Sequence, residues 1–88
     1  MAWENSSTKP QWLWQSNPNP YSRDEKEEWT TFLEEPSEIL EQACRNRDQY
    51  VYLEEHTIDL TESIQFRTKD PSRRRPIKRV LIDKSNFE

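Results

Sequence analysis

The clearest pattern of apolar and polar positions along the chain is an amphipathic stretch that follows Pro36. Its apolar positions fall at i, i+1, i+4 and i+5 and make one stripe among charged neighbours: Ile39, Leu40, Ala43 and Cys44. The stripe predicts a helix over residues 37–47. Pro36 is tolerated beside its first turn and Ser37 is a good capping residue, so the helix is expected to start there.

Short runs rich in aromatic and β-branched residues occur on both sides of this stretch. They predict strands over residues 11–15, 29–33, 50–53, 57–60, 63–67 and 76–82. A curved sheet can cover the single apolar face of such a helix. The predicted fold class is therefore α+β, a curved antiparallel sheet (a half-open barrel) wrapped around one α-helix. The expected core consists of Trp12, Ile39, Ala43, Ile58 and Ile64.

The composition fits one small domain. The chain has 88 residues and only 31% of them are hydrophobic, but four Trp, three Tyr and three Phe provide large apolar surfaces for a thin core. We expect a flexible lead-in over residues 1–9, a folded domain over 10–82 and a tail over 83–88. Because the chain contains no glycine, turns that need a positive φ are expected to use Asn or Asp, or to be avoided.

Several functional classes are excluded by residue type. The chain has one cysteine, so it cannot form an internal disulfide. One cysteine and one histidine are too few for a Cys/His zinc site, and no serine–histidine arrangement with a third partner is visible. We therefore predict no catalytic residue, no metal and no cofactor, and a binding module rather than an enzyme. No apolar run is long enough to cross a membrane and no signal peptide is visible. The single cysteine, Cys44, fits a reducing compartment, and an intracellular location, nuclear and/or cytoplasmic, is expected.

Charge is divided unevenly along the chain. The net charge is −4, yet residues 1–66 carry 5 basic and 14 acidic side chains, whereas residues 67–88 carry 8 basic and 3 acidic ones. An anionic ligand would therefore be attracted to the C-terminal segment and not to the whole molecule. Lys69 to Ser72 is predicted to be an exposed turn, and Arg73 is expected to belong to it.

A series of landmarks occurs in a fixed order along the chain. They are Trp12-Leu13-Trp14, Trp29 with Phe32, Ile39-Leu40-Glu41-Gln42-Ala43, Ile64-Gln65-Phe66 and Arg75-Pro76-Ile77-Lys78-Arg79. The order resembles the WWE domain over about residues 10–82. That resemblance implies a half-open antiparallel barrel around one helix. It also implies a module that binds ADP-ribose groups, often inside ubiquitin ligases and ADP-ribosyltransferases.

The resemblance also implies which side chains contact the ligand: Trp14, His56, Gln65, Arg75 and Lys78. Trp14 would stack on a flat ring, with help from His56. Gln65 would donate or accept hydrogen bonds, and Arg75, assisted by Lys78 or Arg74, would pair with phosphates. On this basis alanine at Arg75 or Gln65 is expected to weaken binding strongly, and alanine at Arg73 is expected to do little.

Other landmarks are expected to be structural. Trp29 and Phe32 should pack in the fold, and Glu41 should link the helix to an arginine. Two positions depart from the family pattern. Thr30 stands where readers of poly(ADP-ribose) often have an aromatic residue, and His56 stands where they commonly have a tyrosine.

Three functions remain open at the level of the sequence. The first is recognition of an ADP-ribose unit, internal (iso-ADP-ribose) or terminal, by a monomeric module that would bind poly(ADP-ribose)-modified proteins; an ATP-like ligand also fits. The second is a protein-interaction domain with a vestigial pocket. The third is a single-stranded RNA binder, which would show a steep salt dependence.

Overall fold

The structure is a computed structural model that describes residues 8–83. Within them, six antiparallel strands and one helix follow the order β1 (Thr8–Gln15), β2 (Trp29–Thr31), α1 (Glu34–Arg45), β3 (Tyr50–Leu53), β4 (His56–Asp59), β5 (Ile64–Arg67) and β6 (Asp70–Asp83). The strands form a sheet in the order β2-β1-β6-β5-β4-β3. The sheet curves around α1 without closing, which confirms the predicted fold class. The proposed lead-in and tail lie mostly outside the described residues.

Strand β6 is the longest strand and joins the two halves of the sheet. It pairs with β1 from Thr8↔Asp83 to Trp14↔Ile77. Its first part pairs with β5 through Ile64↔Pro76, with a register shift near Phe66. The predicted turn over residues 69–72 is confirmed only at Lys69: the turn consists of Thr68 and Lys69, and β6 begins at Asp70, which pairs with Arg67.

The core lies between α1 and the inner face of the sheet. It consists of Trp12, Leu40, Ala43, Val51, Ile58 and Ile77. The prediction is confirmed for Trp12, Ala43 and Ile58, and Ile64 is half-buried. The prediction for Ile39 is wrong: it is 41% exposed. The helix faces the sheet along the narrower line of Leu40 and Ala43, which turns Ile39 to the side of the contact.

The ends of α1 differ from the sequence expectation. The helix begins three residues earlier, after Leu33, which provides no side-chain cap. Ser37 lies inside the helix, and its hydroxyl donates to the Phe32 carbonyl at 3.2 Å. At the other end Arg47 has a φ of 60°, and the backbone N–H groups of Arg47 and Asp48 donate to Cys44 and Ala43 carbonyls. These two hydrogen bonds form a Schellman motif, and glycine is the usual residue at the left-handed position that Arg47 occupies.

Positive φ angles in residues 8–83 occur at Arg47, Glu54 and Ser63. The expectation that Asn or Asp would occupy such positions is therefore wrong. Each of the three lies in a tight connection, directly after α1, in the two-residue turn between β3 and β4, and immediately before β5. The surrounding hydrogen bonds of the sheet and helix impose the backbone angle on the residue that is present.

Glu41 connects α1 to two strands. Its carboxylate accepts hydrogen bonds from Trp12 Nε1 at 3.0 Å and from Arg79 Nε and Nη2, both at 2.9 Å. The Arg79 hydrogen bond lowers the pKa of Glu41, and the Trp12 indole adds to that effect against the opposing influence of burial. The predicted structural link between Glu41 and an arginine is confirmed, and it orients the helix over the inner face of the sheet.

Candidate ligand-binding pocket

An open pocket of about 430 Å³ lies between the loop that follows β1 and the strands β4, β5 and β6. This volume is in the range of small-molecule sites. Its lining residues are Pro18, Pro20, Tyr21, His56, Gln65, Arg67, Ser72, Arg73, Arg74 and Arg75.

Gln65 lines the pocket at the centre of the strand wall. It pairs with Ile58 on one side and with Arg75 on the other, and its side chain is almost fully buried at 6% exposure. The amide makes no hydrogen bond to any residue in the described range 8–83. A buried amide normally has partners for its donors and acceptor. Gln65 therefore presents polar atoms that have no protein partner within residues 8–83 at the wall of a cavity.

Arg75 links this wall to the loop. Its Nη1 donates to the Gln15 carbonyl at 3.0 Å and to the Asn17 carbonyl at 2.6 Å. The guanidinium carbon lies 5.9 Å from the centre of the Trp14 ring. Nε and Nη2 donate to no residue of the described chain, so three N–H donors of the fork stay free for an anion.

Positive charge is concentrated on the pocket. Arg67, Arg73 and Arg74 line it together with Arg75, and no carboxylate is among the lining residues. Two carboxylates border the lining: Asp70 accepts a hydrogen bond from the Ser72 hydroxyl at 2.6 Å, and Glu55 lies 3.5 Å from Arg67 Nη2. Arg73 was expected in an exposed turn, but it lies on β6 and lines the pocket. The chain is acidic as a whole and yet offers a cationic pocket.

His56 lies at the start of β4, where it is paired with Arg67 of β5. The hairpin turn itself consists of Glu54 and Glu55, so His56 belongs to the strand wall. The structure thus brings together three of the five side chains that the sequence singled out: His56, Gln65 and Arg75.

The other two residues lie elsewhere. Trp14 is half-buried, packs against the core and stands behind the Arg75 guanidinium, so it is not part of the lining. Lys78 places its Nζ 4.0 Å from the centre of the Trp29 ring. Because side chains alternate along a strand, Lys78 lies on the opposite face of β6 from Arg75.

The sequence did not predict that the loop after β1 forms one wall of the pocket. It contains Pro18, Pro20 and Tyr21, and Asn17 holds it in place as a fully buried side chain with 1% exposure. The Asn17 amide donates to the Asn19 carbonyl at 3.0 Å and to Glu25 at 3.2 Å, and its oxygen accepts from Gln15 Nε2 at 3.0 Å. The residue types of the run Asn17-Pro18-Asn19-Pro20 favour a rigid loop, but they do not indicate where Tyr21 lies.

No cluster of metal-ligating side chains occurs among the residues that the structure describes. In the same range, no helix is long and apolar enough to span a membrane.

Comparison with known families matches residues 10–79 to the model of the WWE domain. The matched span contains the whole helix and every residue that lines the pocket. No curated protein matches the chain.

Proposed function

The chain belongs to the WWE domain family, a family of ADP-ribose- and protein-interaction modules, and on that premise we propose that it binds an ADP-ribose unit in the pocket between the loop and strands β4 to β6. The proposal rests on one observation: the side-chain amide of Gln65 is buried at the wall of an open pocket and has no protein partner within residues 8–83. A ligand in the pocket can supply the hydrogen-bond partners that a buried amide normally has.

The polar groups of the pocket divide into two roles. Gln65 meets a group that both donates and accepts hydrogen bonds, such as a ribose hydroxyl or the edge of a base. Arg75 presents its free Nε and Nη2 donors to a phosphate, and a forked contact of this kind is stronger than a neutral hydrogen bond. Arg73 and Arg74 add charge for a second phosphate. A diphosphate attached to ribose satisfies both roles.

Two further contributions belong to the proposal. Trp14 supports the guanidinium of Arg75 from behind through a cation–π contact. His56, next to Arg67, borders the ligand on the strand wall. In this proposal the module performs no chemistry and acts as an intracellular monomer. It brings a larger protein of ubiquitination or ADP-ribosylation to poly(ADP-ribose)-modified partners.

The experiment is calorimetry of the wild-type domain with iso-ADP-ribose, ADP-ribose and ATP. Gln65→Ala and Arg75→Ala are measured beside it, and Lys78→Ala is the control, because Lys78 is a cation of the same strand on the opposite face. We expect one ADP-ribose compound to bind, with a loss of about tenfold or more for each of the two pocket variants and little change for Lys78→Ala. Circular dichroism checks that every variant is folded.

Other results would contradict the proposal in different ways. Equal, small losses in all three variants would indicate diffuse attraction of anions and favour single-stranded RNA as the ligand. Absence of binding to every ADP-ribose compound would leave a protein-interaction domain with a vestigial pocket.

A further inference from the structure

Tyr21 occupies the corner of a β-turn at the pocket. The backbone N–H of Ser22 donates to the Asn19 carbonyl at 3.0 Å, which places Pro20 and Tyr21 at the two central positions. Proline is favoured at the first of them because its ring fixes φ. The side chain of Tyr21 is 60% exposed and lines the pocket. Its hydroxyl makes no hydrogen bond within the described part of the chain.

The backbone around Tyr21 is held from several directions. Gln15 Nε2 donates to the Pro20 carbonyl at 3.0 Å, one peptide before Tyr21. Glu25 accepts the Asn19 backbone N–H at 2.9 Å, and this hydrogen bond is the largest cause of the lowered pKa of Glu25. Arg75 ties the base of the same loop to β6 through the Gln15 and Asn17 carbonyls. An exposed aromatic side chain thus stands on a fixed backbone.

We infer that Tyr21 is the residue that stacks on the nucleobase and so determines preference for a base-bearing ligand. The inference rests on the proposed function. Apart from His56, Tyr21 is the one residue with an aromatic ring among those that line the pocket between residues 8 and 83. The prolines beside it extend a flat apolar wall. The arginines and Gln65 occupy the opposite, strand wall, where phosphates and ribose would lie.

A fixed loop makes this arrangement effective. An aromatic ring that is already in place loses little freedom when a base stacks on it, and base–aromatic stacking contributes substantially for any base. The ring is exposed in the empty protein and would be covered in the complex. Stacking on Tyr21 therefore adds binding without altering the core.

The test compares two probes on the wild type and three variants. ADP-ribose carries base and phosphates, whereas inorganic pyrophosphate carries phosphates alone. Tyr21→Ala removes the ring and Tyr21→Phe retains it. Tyr52→Ala is the matched control, because Tyr52 is 74% exposed on edge strand β3 and is not part of the pocket lining. Affinities are measured by NMR titration, which covers weak binding.

We expect Tyr21→Ala to weaken ADP-ribose binding at least fivefold and to change pyrophosphate binding less than twofold. Tyr21→Phe and Tyr52→Ala should stay within twofold of the wild type for both probes. If wild type binds ADP-ribose and Tyr21→Ala binds it equally well, the inference is wrong while the proposed function stands. Equal losses for both probes would show that the loop had moved, which also overturns stacking. A wild type that binds neither probe overturns both.

Discussion

Gln65 and Arg75 are neighbours across β5 and β6, yet they differ in what they do in the empty protein. Arg75 uses one nitrogen to hold the Gln15 and Asn17 carbonyls, so it stabilises the loop as well as the site. The side-chain amide of Gln65 makes no hydrogen bond within residues 8–83, although the residue is buried. At the scale of the residue, substitution of Arg75 is expected to affect both the stability of the loop and ligand binding. Substitution of Gln65 is expected to affect ligand binding without breaking a side-chain hydrogen bond of the fold.

We predict that Gln65→Leu raises the free energy of unfolding by about 1 kcal/mol and abolishes ligand binding. Leucine has a similar size and removes an amide whose burial without partners is unfavourable. Urea denaturation measures the first effect, and calorimetry with ADP-ribose measures the second. A clear loss of stability in Gln65→Leu would mean that the amide has a structural partner, and the basis of the proposed site would fail.

At the scale of the element, α1 is fixed to the sheet by one carboxylate and ended by one strained residue. Glu41 is 13% exposed in its side chain and binds both Trp12 of β1 and Arg79 of β6. Arg47 closes the other end with a backbone conformation that disfavours side chains with a Cβ atom. The first feature stabilises the packing of the helix, and the second reduces the stability that its capping hydrogen bonds provide.

The Glu41 contribution should depend on pH. Its pKa in the folded protein lies below the ordinary value of 4.5, so its stabilisation is complete above about pH 4.5. As the pH falls below that value, the unfolded state takes up the proton first and the contribution is lost progressively through the lower folded pKa. We predict that Glu41→Gln lowers the free energy of unfolding by about 1–2 kcal/mol at pH 7.

Denaturation curves of wild type and Glu41→Gln between pH 7 and pH 3 test this. Comparison with the variant removes the background of Glu25 and Asp70, whose pKa values are also lowered. The difference between the two proteins should shrink below pH 4.5. A difference that is constant over the whole range would contradict the electrostatic origin of the link.

Arg47→Gly should stabilise the protein by about 0.5–1 kcal/mol. Glycine adopts the left-handed conformation without the cost that a Cβ atom brings, and this gain exceeds the added freedom of the unfolded chain. Thermal unfolding gives the measurement. Glu38→Gly is the control, because this exposed position inside α1 requires ordinary helical angles and should lose about 1 kcal/mol. Equal destabilisation by both glycines would show that the Schellman ending does not form.

At the scale of the whole molecule, the fold separates charge. Between residues 8 and 66, most acidic side chains lie on the helix, in the loop after β1 and in the turn between β3 and β4, whereas four arginines line one pocket. Attraction of an anion is therefore local. A long polyanion would meet a largely acidic surface beyond the pocket, and a compact ligand with two phosphates would not.

This arrangement predicts a shallow salt dependence. Between 50 and 200 mM salt, affinity for ADP-ribose should fall less than about tenfold, because few counterions are released by a ligand with two phosphates. Calorimetry at several salt concentrations gives the slope, with a single-stranded RNA oligonucleotide measured in parallel. A loss of about a hundredfold or more for either ligand would indicate many phosphate contacts and contradict a compact site.

The amino-acid sequence determined those features that depend on local periodicity and residue type. The apolar stripe predicted one helix, and runs of aromatic and β-branched residues predicted the strands. The order of the landmarks indicated the family and three side chains that share the pocket. The local pattern could not predict two features of the fold. Ile39 lies beside the contact between the helix and the sheet and is partly exposed, and β6 begins at Asp70. Those outcomes depend on which partner each segment meets.

Only the tertiary structure decided how distant segments combine. Alternation along β6 put Lys78 on the outer face beside Trp29, and packing of Trp14 against the core left it behind Arg75 rather than in the pocket. Hydrogen bonds from Arg75 and Asn17 brought Tyr21 to the rim across about fifty residues of chain. The sequence gives the identity of each side chain. Which side chains become its neighbours depends on strand register and loop closure, and a local sequence pattern does not determine either of them.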